Sequence, residues 1–160
     1  MIVPMRDEIS RCMKEALKAG DKLALSTIRL IAAALKDRDI TARGNGISEG
    51  ITDDEILSML QTMIKQRRES SAMYRNAGRS ELAETEDKEI EIIQEFLPEQ
   101  LGEDEIFAAI ETAILQIRAV SVKDMGKVMA YLKQEYAGKM DFSKISVQVK
   151  TALMELSKDG

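Results

Sequence analysis

The sequence of 160 residues has no histidine, no tryptophan and a single cysteine, Cys12. Without histidine the chain cannot build Ser-His or Cys-His nucleophiles, histidine-ligated zinc or a histidine general base. One cysteine excludes an internal disulfide and leaves a soft metal short of ligands. Cys12 stands beside Met13 in an amphipathic run, which reads as a small packed side chain in a reducing compartment. Carboxylates and lysines remain able to do chemistry, so catalysis is disfavoured and not forbidden; no catalytic residue, metal or cofactor is expected. Apolar runs are short as well. None approaches the ~18 residues of a membrane span, and the opening MIVPMRDEIS lacks a cationic stretch followed by an apolar one, so the expectation is a soluble, untargeted, cytoplasmic protein.

Aromatic residues make up only 4% of the chain while hydrophobic residues make up 44%, and Leu, Ile, Ala, Met, Glu and Lys are plentiful. That balance favours helix over sheet, and the fold class expected is all-α. Apolar stripes at helical spacing run through Ile9, Met13, Ala16 and Leu17, then through Leu23, Thr27, Leu30, Ile31, Ala34 and Leu35, with Gly20 between them. They predict a helical hairpin with a very short turn. Thr41 to Gly50 reads as an exposed loop, and Thr52 with Glu55 is a capping-box signature that opens a third helix. A fourth, acidic helix starts at Ser80. Pro98 is one of only two prolines, and beyond it the pattern changes to three shorter helices over 103–118, 122–136 and 142–157. The predicted organisation is therefore two-part: an N-terminal helical hairpin domain over 1–97 and a small C-terminal helical bundle over 98–160.

The formal net charge is −5, yet residues 119–160 carry 7 basic and 5 acidic side chains. Six lysines there, Lys123, Lys127, Lys133, Lys139, Lys144 and Lys150, could meet a phosphate backbone by charge if they share a face. Within this region KDMGKVM places Gly126 between two lysines in a predicted helix. A nucleotide phosphate loop is excluded, because no glycine lies at the required upstream spacing and Val128 follows Lys127. Ser121 and Asp124 form a capping pair that would occupy the amides of the helix start. Gly126 then permits close approach either of a neighbouring helix or of RNA. The basic run KQRRES puts Lys65 and Arg68 on one face, where a solvated surface paired with Glu69 and the acidic fourth helix competes with nucleic-acid contact. Asp37 and Asp39 hint at calcium, but Ala42 stands where a calcium loop needs glycine, and nothing supplies a pocket for acid-base work. Ten methionines, Met1 among them, fit core filling better than a partner groove.

Four long segments, TIRLIAAALKDRDI, EILSMLQTMIKQRRES, GRSELAETEDKEIEIIQEFLPEQL and VKDMGKVM, together resemble the YqeY proteins, also called GatB/YqeY-domain proteins, in the same order over nearly the whole chain. The resemblance implies a C-terminal part similar to the tail domain of the B subunit of the glutamine-dependent aspartyl/glutamyl-tRNA amidotransferase, where that domain helps hold the tRNA body. It brings the label of a carbon-nitrogen ligase with glutamine as amido donor, although the chain has no counterpart of the large catalytic region. The carry-over falls on Lys123, Asp124, Met125, Gly126 and Lys127, and on Gly138, Lys139, Asp141 and Lys144. Met140 and Phe142 stand where the family pattern has small residues, which makes that turn bulkier and argues against RNA contact there. The function implied is a non-catalytic helical protein with a tRNA-binding-like domain, accessory to an amidotransferase or an aminoacyl-tRNA synthetase. The alternative is a protein-protein interaction module that docks on a larger translation-related assembly.

Overall fold

The computed structural model describes residues 3–159, and among them every regular element is helical. In chain order these are α1 (Met5–Ala19), α2 (Lys22–Gly44), α3 (Asp53–Asn76), α4 (Ser80–Gln94), α5 (Glu103–Ile117), α6 (Met125–Glu135) and α7 (Phe142–Asp159), with a single 3-10 turn, Val122–Asp124, leading into α6. The chain divides into two compact units, Met1–Leu97 and Pro98–Gly160.

In the first unit α1 and α2 form the hairpin that the stripes predict. Gly20 closes α1 in the left-handed conformation (φ 70°), where glycine has no Cβ to strain. Asp21 immediately caps α2, its side chain accepting the Ala24 N–H at 3.1 Å. The α3 start shows both halves of the capping box: Thr52 Oγ1 accepts the Glu55 N–H at 3.1 Å, and Glu55 Oε1 accepts the Thr52 N–H at 3.3 Å. Ile9, Ile31, Ile56, Leu60 and Ile93 form the centre of the core. Thr27 joins them fully buried, its hydroxyl satisfied by donating to the Leu23 carbonyl at 2.8 Å. Two stripe residues fall elsewhere: Leu17 and Leu30 are exposed, and on α2 Ile28 takes the inward position. The methionines divide too. Met59 and Met63 are core residues, Met73 is exposed, and Met1 lies outside the described residues.

The segment read as an exposed loop is shorter and partly buried. α2 continues to Gly44, and Gly50 and Ile51 are buried at the other end of the connection. They are held by an ion pair that sequence reasoning did not find. Asp39 is buried on α2 and receives Nε and Nη2 of Arg6; Arg6 Nη2 also donates to the Ile51 carbonyl at 2.8 Å, and the Ile51 N–H donates to Asp39 Oδ1 at 2.9 Å. Arg6 holds the Asp39 carboxyl below the usual carboxylate range, against the opposing effect of burial and with help from the Ile51 amide. Asp39 therefore latches the α2–α3 connection to the start of α1. Asp37 is exposed and takes no part.

The acidic face of α4 is also not simply solvated. Arg67 Nε donates to Glu89 at 2.9 Å, and Arg75, Ser71 and Asp87 close a three-residue network between α3 and α4. In KQRRES it is Arg67 that pairs with the fourth helix, while Lys65 and Arg68 are exposed with no ion pair among the described residues.

In the second unit α5 packs on α6 and α6 on α7 around Ile110, Val128, Leu132, Met140, Val149 and Leu153. The turn before α7 is tied to the start of the unit. The Leu101 N–H donates to the Lys139 carbonyl at 3.0 Å, and Gln100 Nε2 donates to the Gly138 carbonyl at 2.7 Å. Gly138 is buried at φ 74°, and Met140 beside it is 2% exposed, so the bulkier residue at that position is a core anchor.

Candidate nucleic-acid interface

The start of α6 is built by two side chains. Asp124 Oδ2 accepts the Val120 N–H at 2.8 Å and the Ser121 N–H at 3.4 Å, while Ser121 Oγ accepts the Lys123 N–H at 3.3 Å. The Val120 amide, the Ser121 amide and nearby Lys127 hold the Asp124 carboxyl below its ordinary range, against a smaller effect of desolvation. A carboxylate thus sits where a helix start would otherwise bind an anion, so a phosphate here must be met by lysine side chains and not by free amides.

Gly126 follows within the first turn of α6. It is exposed, and a Cβ built on it would meet nothing within 4 Å. Among the described residues of the second unit nothing packs on this position, so packing within the unit is not the reason for the glycine. Lys123 and Lys127 are both exposed and lie about one helical turn apart on the outward side of α6, with Gly126 and Ala130.

Of the other lysines, Lys133 shares the outward side of α6 and the remaining three do not. Lys133 stands about 120° around α6 from Lys127 but only about 20° from Gly126, two turns further along on the same outward side. Lys144 and Lys150 are separated by about 120° on α7, one on each flank of the stripe formed by Ile145, Val149 and Leu153. Lys139 is half-buried and its backbone carbonyl holds Leu101. The structure therefore brings Lys123, Gly126, Lys127 and Lys133 to the outward side of α6 and its leading turn, and places Lys139, Lys144 and Lys150 elsewhere on the unit.

A second surface escaped sequence reasoning. On α5, Phe107 is 63% exposed and Leu115 is 76% exposed, and Glu111 lies between them along the helix. The signal was present: Phe107 and Leu115 fall outside the inward stripe of Ile106, Ala109, Ile110 and Ala113. Among the described residues no cluster of three His, Cys, Asp or Glu could hold a metal, and no helix is long and apolar enough to cross a membrane.

Among the described residues, seven α-helices in two units, with an outward lysine pair around an open glycine, define an all-helical protein whose distinctive features are surfaces. The family model described as "Yqey-like protein" matches residues 6–153, and the chain belongs to this YqeY-like family. Among curated relatives it is 30% identical over 126 residues to "Altered inheritance of mitochondria protein 41, mitochondrial" of Pyrenophora tritici-repentis, covering 76% of this chain and 67% of the relative. The protein of the same name in Lachancea thermotolerans is 30% identical over 112 residues, covering 69% of this chain and 58% of the relative. In Clavispora lusitaniae the namesake is 32% identical over 85 residues, or 53% and 46% of the two chains. The chain thus spans between about half and two thirds of the length of these relatives.

Proposed function

We propose that this YqeY-family protein is a non-catalytic RNA-binding accessory, whose second unit contacts the backbone of tRNA through Lys123 and Lys127 and which assists tRNA-dependent amidation or aminoacylation. The observation that carries the reading is the open face at the start of α6, where two unpaired lysines flank a glycine with nothing packed on it. Lysine pairs neutralise phosphates without reading sequence, and a missing side chain lets a ribose or phosphate approach the helix. Lys133, two turns along from Gly126, extends the contact face, while Lys139, Lys144 and Lys150 contribute long-range attraction. Because the whole chain carries −5, affinity is modest and steeply salt-dependent. The protein works in the reducing aqueous compartment where tRNA is charged, the cytosol in the first instance; the fungal relatives carry a mitochondrial location in their names. Titration of labelled total tRNA with the full chain at low and moderate salt tests the reading. Lys123→Glu with Lys127→Glu is expected to abolish binding; binding that survives the double reversal sinks it.

A second reading is favoured by α5. Two large apolar side chains exposed on one helix of a small unit are typical anchors of protein interfaces. Under this reading the chain docks on a translation-related protein, and a stoichiometric complex resistant to nuclease is lost in Phe107→Ser with Leu115→Ser.

A further inference from the structure

The first unit contains a cleft of about 240 Å³ on the side of the α1–α2 hairpin, and its lining is unlike the rest of this acidic protein. Arg6, Lys36 and Arg43 bring three cations to it against one carboxylate, Asp39. That carboxylate is already saturated by Arg6 and the Ile51 amide. Arg43 uses its Nε on the Ser48 carbonyl at 3.2 Å, leaving both Nη groups available. Lys36 has no ion pair among the described residues, and Ser10 is an exposed part of the lining. Beneath these donors the floor is apolar, formed by Ile9, Met13, Ala32 and Leu35.

Arg6 and Asp39 neutralise each other in the latch, so the uncompensated charges at this concavity are Lys36 and Arg43, which repel one another unless an anion joins them. Donors of this kind suit phosphate: an arginine offers paired N–H groups, a lysine a point charge and a serine a neutral donor. The volume lies below the range of sites that take drug-sized ligands, so the occupant is compact. The apolar floor asks for a short hydrocarbon stem beside the charged group. The geometry points to a binding site for a small phosphomonoester, its phosphate held by Lys36, Arg43 and Ser10 and its stem resting on Ile9 and Leu35. The site lies wholly in the first unit and does not depend on the RNA reading of the second.

A phosphate could come from a free small molecule or from an RNA backbone, and an NMR titration of the 15N-labelled full chain separates the two. Butyl phosphate, inorganic phosphate and total tRNA are added in parallel, with the amides around Ser10 and Lys36 as the readout. Expected are saturable shifts with butyl phosphate at about millimolar affinity, weaker ones with inorganic phosphate, and a loss of about tenfold in Lys36→Glu. Lys36 is exposed and unpaired, so this variant folds; Lys65→Glu on α3 controls for net charge and leaves the affinity unchanged. Shifts that do not saturate, shifts equally affected by Lys65→Glu, or shifts produced by tRNA alone would each overturn the proposal.

Discussion

Replacing Gly50 with alanine tests the Arg6–Asp39 latch with one methyl group. Gly50 has φ 83°, and a Cβ built there would lie 2.7 Å from Asp39 Cγ and 2.8 Å from Arg6 Nη2, closer still to Asp39 Oδ1. Two costs follow. The left-handed backbone disfavours any L side chain by about 1–2 kcal/mol. The methyl also drives the Asp39 carboxylate off the Ile51 amide, and a buried N–H left without an acceptor costs about 1–3 kcal/mol. Arg6 remains partly exposed, so water relieves its share of the loss. The expected total is about 3.5 kcal/mol, taking both costs at their middle. Because the chain has two units, hydrogen exchange followed by mass spectrometry is the suitable assay: peptides of α2 and α3 exchange faster while those of α5 to α7 serve as an internal reference. Gly46→Ala supplies the control, since Gly46 has φ 91° but open space around it, and should lose only the backbone share of about 1 kcal/mol. In an Asp39→Ala background the extra cost of Gly50→Ala should vanish. Equal effects of Gly50→Ala and Gly46→Ala, or full additivity with Asp39→Ala, would refute the latch.

Further expectations concern pH, capping and the helix glycine. The Asp39 pKa is lowered in the folded state, so its contribution is complete above the ordinary carboxylate pKa of about 4 and is lost as pH falls through the lower folded value. Urea unfolding followed at pH 7 and pH 3 should show wild type and Asp39→Asn converging in acid; a constant difference would contradict the assignment. Thr52→Ala removes one half of the α3 capping box and should cost about 1 kcal/mol, read as a lower denaturation midpoint with unchanged slope. Gly126→Ala should raise stability by about 0.5–1 kcal/mol, because the glycine is helical and unopposed, while weakening tRNA binding if a backbone approaches there. A destabilised Gly126→Ala protein would reveal a packing role that the open surroundings do not provide.

The helices were legible in the sequence because their signals are local. The capping box at Thr52, the glycine stop at Gly20 and the capping pair of Ser121 and Asp124 each depend on residues within a turn or two, and the structure realises all three. What escaped depends on distance along the chain. Asp39 read as a stray carboxylate since its partners, Arg6 and Ile51, lie 33 and 12 residues away. Gly50 looked like an ordinary loop glycine for the same reason. Leu17 and Leu30 were placed inward by periodicity, yet α1 and α2 bury only the sector that faces their neighbours, and Ile28 shows that the α2 sector is rotated from the expected one. The lysines of the second unit could be counted from sequence but not arranged: only the helix bounds and core stripes show that Lys133 shares the outward side of α6 with Gly126 and that Lys144 and Lys150 lie about 120° apart on α7.

The central claim, that Lys123 and Lys127 form a phosphate-contacting pair, is tested most directly by the salt dependence of tRNA affinity. For the wild-type chain the logarithm of affinity should fall linearly with the logarithm of salt concentration. Lys123→Ala with Lys127→Ala should weaken binding at low salt and make that slope shallower by about 1.4 to 1.8, the value for two lost phosphate contacts. No tRNA binding at low salt, or a slope unchanged by the double substitution, would contradict the account.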